Sequence, residues 1–146
     1  MSKVDALLAR LTSEEGERLK PYDDATGLPV RAPKGQITWG RGFNLMQCGS
    51  SGLFAVMERY LVSALDAELS RFPWYAQLDD VRGSVPLDMA YNEGLTGFLG
   101  GWPHFIAALA RGDIQSAAAE CHVEDPKVEP RYEKLKQILL TGQQPT

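Results

Sequence analysis

The stretch LFAVMERYLVSALDAELSRF, residues Leu53–Phe72, decides the fold because it is the longest segment of the chain with a helical period. Its apolar residues recur every three or four positions and form one stripe: Leu53, Val56, Met57, Tyr60, Leu61, Ala64, Leu65, Leu69 and Phe72. Twenty residues of α-helix span about 30 Å, which is long enough to connect two lobes. Pro73 cannot continue the helix. We therefore predict a connecting helix over about 53–72.

Several further helices are predicted after Pro73, so the second lobe, over about 73–146, should be helical. Their boundaries follow from capping residues and helix breakers. Ser84 with Pro86 begins a helix that ends at Gly94, Pro103 begins one that ends at Gly112, Asp113 caps an alanine-rich helix, and Pro130 begins the last helix, which Gly142 follows.

The N-terminal part predicts one helix followed by a small β-containing lobe. Val4, Leu7, Leu8 and Leu11 have helical spacing, and Ser2 with Asp5 can cap them. This predicts a helix over 1–11, with Glu14 and Glu15 at its end. Prolines and glycines between 21 and 35 predict turns, and the short run 36–39 predicts a strand. The expected fold is α+β and mainly helical, a single domain over 1–146 with its N-terminal lobe at about 12–52.

The composition is that of a globular protein, with 44% hydrophobic and 23% charged residues. The formal net charge of −4 argues against nucleic acid as the main partner, because binding to phosphates needs a basic face. No segment approaches the ~18 apolar residues of a membrane-spanning helix, and charged residues interrupt the first twenty positions. We expect no signal peptide and no membrane insertion, so the protein should accumulate in the cytoplasm.

Cys48 and Cys121 are the only cysteines, and in the cytoplasm we expect both to be reduced and unpaired. Cys121 is followed by His122, and His104 lies further back in the chain. Their spacing fits no zinc pattern, so neither a metal nor another cofactor is expected.

Two carboxylic acids suggest a reaction. Glu15 and Asp24 can face one cleft if the chain between them turns at Pro21. A pair of carboxyls across a groove can hydrolyse a glycosidic bond: one donates a proton to the leaving oxygen, and the other activates water or attacks the sugar. The Thr38 hydroxyl could hold that water. By themselves these residues fit equally well an ordinary turn with surface acids.

Several motifs in the same order resemble the phage-type lysozymes, glycoside hydrolase family 24. The N-terminal match is Glu15-Gly16-x-Arg18-Leu19-x-x-Tyr22-x-Asp24 followed by Thr38-x-Gly40-x-Gly42. The C-terminal match comprises Asp88-Met89-Ala90-Tyr91-Asn92-x-Gly94, Gly112-Asp113 before Ala117-Ala118-Ala119, and Pro130-Arg131 to Thr141-Gly142. The resemblance covers about residues 8–142 and implies a lysozyme-like fold of two lobes.

The implied activity is that of an N-acetylmuramidase, which hydrolyses the β-1,4 bond between N-acetylmuramic acid and N-acetylglucosamine in peptidoglycan. The resemblance makes Glu15 the general acid, Asp24 the partner carboxylate and Thr38 the residue that positions water. Family members are thought to invert the anomeric carbon. Residues that match positions near the family's substrate groove are Asn44, Tyr91, Asn92, His104, Phe105 and Arg131.

The biological role implied is that of a monomeric phage endolysin that lyses its bacterial host. Such a protein stays in the host cytoplasm until a holin pore admits it to the periplasm and cell wall. Two alternatives stay open: a non-catalytic glycan-binding or virion structural module, and a lytic transglycosylase that uses one acid and no water. The chain also departs from the family pattern, with a longer segment over 25–37 and with an acid, Glu93, where relatives usually carry an apolar residue.

Overall fold

The computed structural model describes residues 2–15, 38–39, 43–44 and 51–144, and their backbone is mainly helical, as predicted. Its elements are α1 (Lys3–Glu15), β1 (Thr38–Trp39), β2 (Phe43–Asn44), α2 (Ser51–Leu69), α3 (Pro73–Ala76), α4 (Asp80–Glu93), α5 (Leu95–Gly101), α6 (Pro103–Ala110), α7 (Ile114–Glu120) and α8 (Glu129–Thr141). The strands pair antiparallel. Most of the expected N-terminal lobe, namely 16–37, 40–42 and 45–50, lies outside the described residues.

The first helix begins as predicted and runs further than predicted. The Ser2 hydroxyl accepts from the Asp5 amide at 3.1 Å, and the Asp5 carboxylate accepts from the Ser2 amide at 3.2 Å, which forms the expected cap. The helix ends at Glu15 instead of residue 11. The apolar pattern stops earlier because it reports burial, whereas serine and glutamate can still continue a helix.

One predicted helix start is wrong. Ser84 does not cap α4, which begins a turn earlier, at Asp80. The Asp79 carboxylate accepts from the amides of Val81 and Arg82 at 3.1 and 2.9 Å, so it satisfies two of the unpaired amides at the helix start. Ser84 lies inside the helix, where its hydroxyl donates to the Val81 carbonyl at 2.7 Å.

The core is built around α4, in which every residue from Gly83 to Ala90 is buried. Helices α1, α2, α3, α5 and α8 all contact α4. The largest side chains with less than 2% exposure come from all of these helices and from α6: Leu7, Leu69, Tyr75, Leu87, Met89, Phe98, Phe105, Leu109, Leu135, Ile138 and Leu139. Eight consecutive buried residues make more than two helical turns, so the middle of α4 is enclosed on every side by the other helices.

The long helix predicted over 53–72 is present, at 51–69, but its apolar stripe is only partly buried. Leu69 is fully buried, and so is Val62, which lies off the predicted stripe. Val56, Tyr60 and Leu61 are 65%, 73% and 52% exposed. Helical period alone therefore did not identify the face of α2 that packs against the other helices. Within the described ranges no helix is both long and apolar enough to cross a membrane.

Candidate functional site

The structure locates two of the three predicted catalytic residues by their backbone. Glu15 is the last residue of α1, and Thr38 is the first residue of β1. Thr38 is the direct partner of Asn44 across the antiparallel pair, so two residues assigned to the site from sequence lie opposite each other. Asp24 falls outside the described residues.

The direction of α1 shows which part of the protein Glu15 approaches. Near the start of α1, the Lys3 side chain covers Gly83, whose added Cβ would lie 2.3 Å from the Lys3 Cε. Near its end, Arg10 contacts Asp88. Gly83 and Asp88 both lie in α4, so α1 and α4 run in the same direction. The Glu15 end of α1 extends towards the Asn92 end of α4.

A buried carboxylate, Asp88, joins α1 to α4 at this end. The Asp88 side chain is completely buried, and that of Arg10 is 2% exposed. Arg10 donates to Asp88 Oδ2 from Nε at 2.9 Å and from Nη2 at 2.8 Å. It also donates to the Ser84 hydroxyl, the Ser84 carbonyl and the Gln144 side chain at 3.1, 3.0 and 3.2 Å. Both charges therefore have short, directed partners, as buried ions require.

The second oxygen of Asp88 brings two predicted substrate residues together. Arg131 Nη2, on α8, donates to Asp88 Oδ1 at 2.5 Å, and Asn92 Nδ2 donates to the same oxygen at 2.9 Å. Asn92 also donates to the Asp88 carbonyl at 2.8 Å. The guanidiniums of Arg10 and Arg131 and the Asp88 carboxylate together carry one net positive charge. Of these three side chains Arg131 is the most exposed, at 21%.

Glu93, the acid next to Asn92, accepts hydrogen bonds from two aromatic side chains that stack on each other. It accepts from Trp102 Nε1 at 2.8 and 3.0 Å and from the Tyr132 hydroxyl at 2.6 Å. The Trp102 and Tyr132 rings stack at 5.3 Å between centroids with 13° between their planes. Burial, and then the hydrogen bond to Glu93, raise the pKa of Tyr132 above its ordinary value, so its hydroxyl remains a donor.

Three other predicted substrate residues lie at two further places: His104 and Phe105 share one cavity, and Tyr91 lines another. His104 lines an open cavity of about 340 Å³ together with Trp102, Glu120 and His122. Phe105 also borders this cavity, yet it is completely buried and packs edge-on against Trp102. Tyr91 lines a separate groove beside α2 with Leu61, Ala64, Leu65 and Glu68.

The described residues offer neither a metal centre nor a reactive thiol. In this part of the chain no group of three or more His, Cys, Asp or Glu residues is arranged to hold a metal ion. Cys121 is a buried free thiol whose Sγ lies 3.8 Å from the Tyr132 carbonyl. Burial raises its pKa to about 12, so the thiolate is scarcely populated at neutral pH.

Sequence reasoning missed the central role of Asp88 and Arg10. Asp88 entered the prediction only as the first residue of a motif, and no partner was predicted for its charge. A usable signal was present, because an acid in the apolar run Val85–Ala90 must meet a cation if that run is buried. Neither a scan against protein-family models nor a search among curated proteins finds a match to this chain.

Proposed function

We propose that this protein is a peptidoglycan muramidase with a lysozyme-like fold of two lobes. The proposal rests on the family signature at Glu15, Asp24 and Thr38. One structural observation supports it: the end of α1, where Glu15 lies, extends towards the Asn92 and Arg131 side chains bound to Asp88. These parts come from three helices that are distant in sequence, and the resemblance assigns all three residues to one site.

In the proposed reaction, Glu15 donates a proton to the glycosidic oxygen as the bond to N-acetylglucosamine breaks. Asp24 accepts a proton from the water that attacks the anomeric carbon, and the Thr38 hydroxyl orients this water. Asn44, which the resemblance assigns to the substrate groove, is the direct partner of Thr38 in the strand pair. Asn92 and Arg131 supply polar contacts to the glycan, and the Asp88 carboxylate fixes both.

The proposed biological role is host lysis by a phage endolysin. The enzyme acts as a monomer and without a cofactor on bacterial peptidoglycan. A holin releases it from the host cytoplasm to the cell wall. Neither nucleic acid nor membrane insertion takes part in this role.

The decisive experiment is mass spectrometry of the fragments released from purified peptidoglycan by the wild type and by Glu15→Gln. A muramidase leaves reducing N-acetylmuramic acid ends, and the variant should lose about 10²- to 10⁴-fold in rate because the amide cannot donate the proton. Glu14→Gln is the matched control, because it makes the same change one residue earlier, and it should retain activity.

Each alternative predicts a different result in the same experiment. Fragments that end in 1,6-anhydro-N-acetylmuramic acid, lighter by one water, would identify a lytic transglycosylase. Binding to the glycan with no released fragment would identify a non-catalytic module. Full activity of a folded Glu15→Gln variant would refute the assignment of Glu15 as the acid.

A further inference from the structure

We infer that Asp88 is a positioning residue that holds Arg131 in place for the reaction at the end of α1. The inference rests on the proposed function, because it assigns Asp88 a role in that reaction. Asp88 is completely buried in α4, and both of its oxygens accept hydrogen bonds. One oxygen binds Arg10 of α1, and the other binds Arg131 of α8, so one carboxylate connects three helices.

The beginning of α8 depends on these contacts. Its N-cap residue, Val128, makes no side-chain capping hydrogen bond. In the first turn, Arg131 donates to Asp88 and Tyr132 donates to Glu93. Both acceptors lie in the second half of α4, so these two bonds fix the first turn of α8 against α4. The bond to Asp88 also directs the Arg131 guanidinium.

A contribution to stability alone explains this arrangement poorly. Buried ion pairs stabilise a fold no better than apolar residues of the same shape, because both ions must be desolvated. What the carboxylate adds is direction, since it orients Arg10, Arg131 and Asn92 through separate bonds. Without its charge, the two guanidiniums would face each other and repel. Arg131, the more exposed of the two, would then lose the charged bond that directs it towards α4.

The test compares Asp88→Asn with Ser84→Ala on soluble peptidoglycan strands, after circular dichroism has shown that each variant is folded. Ser84→Ala is the matched control because it removes a buried partner of Arg10 but leaves Asp88 and Arg131 in place. It should lose stability and keep the wild-type kcat. Asp88→Asn should lower kcat by about 10- to 100-fold, the effect of a misplaced group, and should raise KM by a smaller factor because Asn92 and Arg131 also contact the glycan.

Arg131→Lys provides a second variant should Asp88→Asn fail to fold. It keeps the charge at a mostly buried position, but a single ammonium cannot reproduce the planar fork that Asp88 orients. Its kcat should fall in the same way, with a smaller rise in KM.

The possible failures are distinguishable. If the wild type releases no fragments, the proposed function is refuted and this inference with it. If the wild type is active and a folded Asp88→Asn variant matches Ser84→Ala in kcat, only the inference is refuted. If Asp88→Asn does not fold, a wild-type kcat in Arg131→Lys would likewise refute the inference alone.

Discussion

The buried ion pair between Arg10 and Asp88 makes a strong prediction about stability. We consider Arg10→Met, which keeps an unbranched side chain of similar length and removes the charge. Arg10 is 2% exposed and its side chain donates to Asp88, to Ser84 and to Gln144. The substitution leaves the Asp88 carboxylate buried without its principal partner. It also leaves the Ser84 carbonyl without the hydrogen bond from Arg10.

The expected loss follows from the burial of the remaining charge. Removing one partner of a buried pair typically costs about 3–5 kcal/mol. Arg131 and Asn92 still donate to Asp88, which favours the lower end, about 3 kcal/mol. At about 2–4 °C per kcal/mol for a chain of this size, Tm should fall by about 6–12 °C. This is a large part of the total of about 5–15 kcal/mol expected for a natural domain.

The measurement is urea and thermal unfolding followed by circular dichroism, with Arg59→Met as the matched control. Arg59 also pairs with an aspartate, Asp5, at 2.7 Å, but its side chain is 57% exposed. Its removal should not change the unfolding midpoint measurably, because water and salt already screen the pair. The loss in Arg10→Met should persist at about 1 M salt, since buried charges are screened much less. Equal stability of the two variants would refute the argument.

Three further predictions concern other parts of the fold. Gly142 and Gly112 have φ of +66° and +72°, so alanine at either position should cost about 1 kcal/mol of folding stability. Of the two, only the added Cβ at Gly142 also meets Arg82, at 2.7 Å, so Gly142→Ala should be the less stable variant in urea. Burial acts to raise the pKa of Asp79, yet hydrogen bonds from the Arg82 amide and guanidinium hold it below its ordinary value. Asp79→Ala should therefore cost about 1 kcal/mol of folding stability at neutral pH. The difference in stability from the wild type should shrink as pH falls through the lowered pKa of Asp79, and an unchanged difference in acid would contradict this. In the native protein, Cys121 should react very slowly with Ellman's reagent at about pH 8. The denatured, unreduced chain should show two free thiols, and a count of zero would indicate a disulfide.

Local signals in the sequence determined most of the helices. Pro103 and Gly112 bracket α6, and Gly142 ends α8 in the left-handed conformation that glycine adopts most easily. These predictions succeeded because caps, breakers and helical period act within a few residues. The start of α4 was predicted wrongly because local signals alone cannot choose between two possible caps. Asp79 and Ser84 are both good caps, and only the position of the helix in the core selected Asp79.

Motifs in the sequence selected the residues of the candidate site, but they did not predict how those residues are arranged. Asn92 and Arg131 both came from motifs, yet nothing local indicated that they share the Asp88 carboxylate. Tyr91, next to Asn92 in the chain, lines a groove beside α2 with Leu61 and Leu65. Neighbouring helical residues point about 100° apart, so a contiguous motif need not form a contiguous surface.

The sequence by itself determined that the protein is mainly helical, and its motifs supplied the residues on which the proposed glycosidase activity rests. The tertiary structure alone decided which charges are buried and which partners they have. Asp88 meets Arg10 across 78 positions and Arg131 across 43. Helix propensity and spacing act over one or two turns, whereas the partner of a buried charge depends on which helices pack together, and packing is a property of the whole chain.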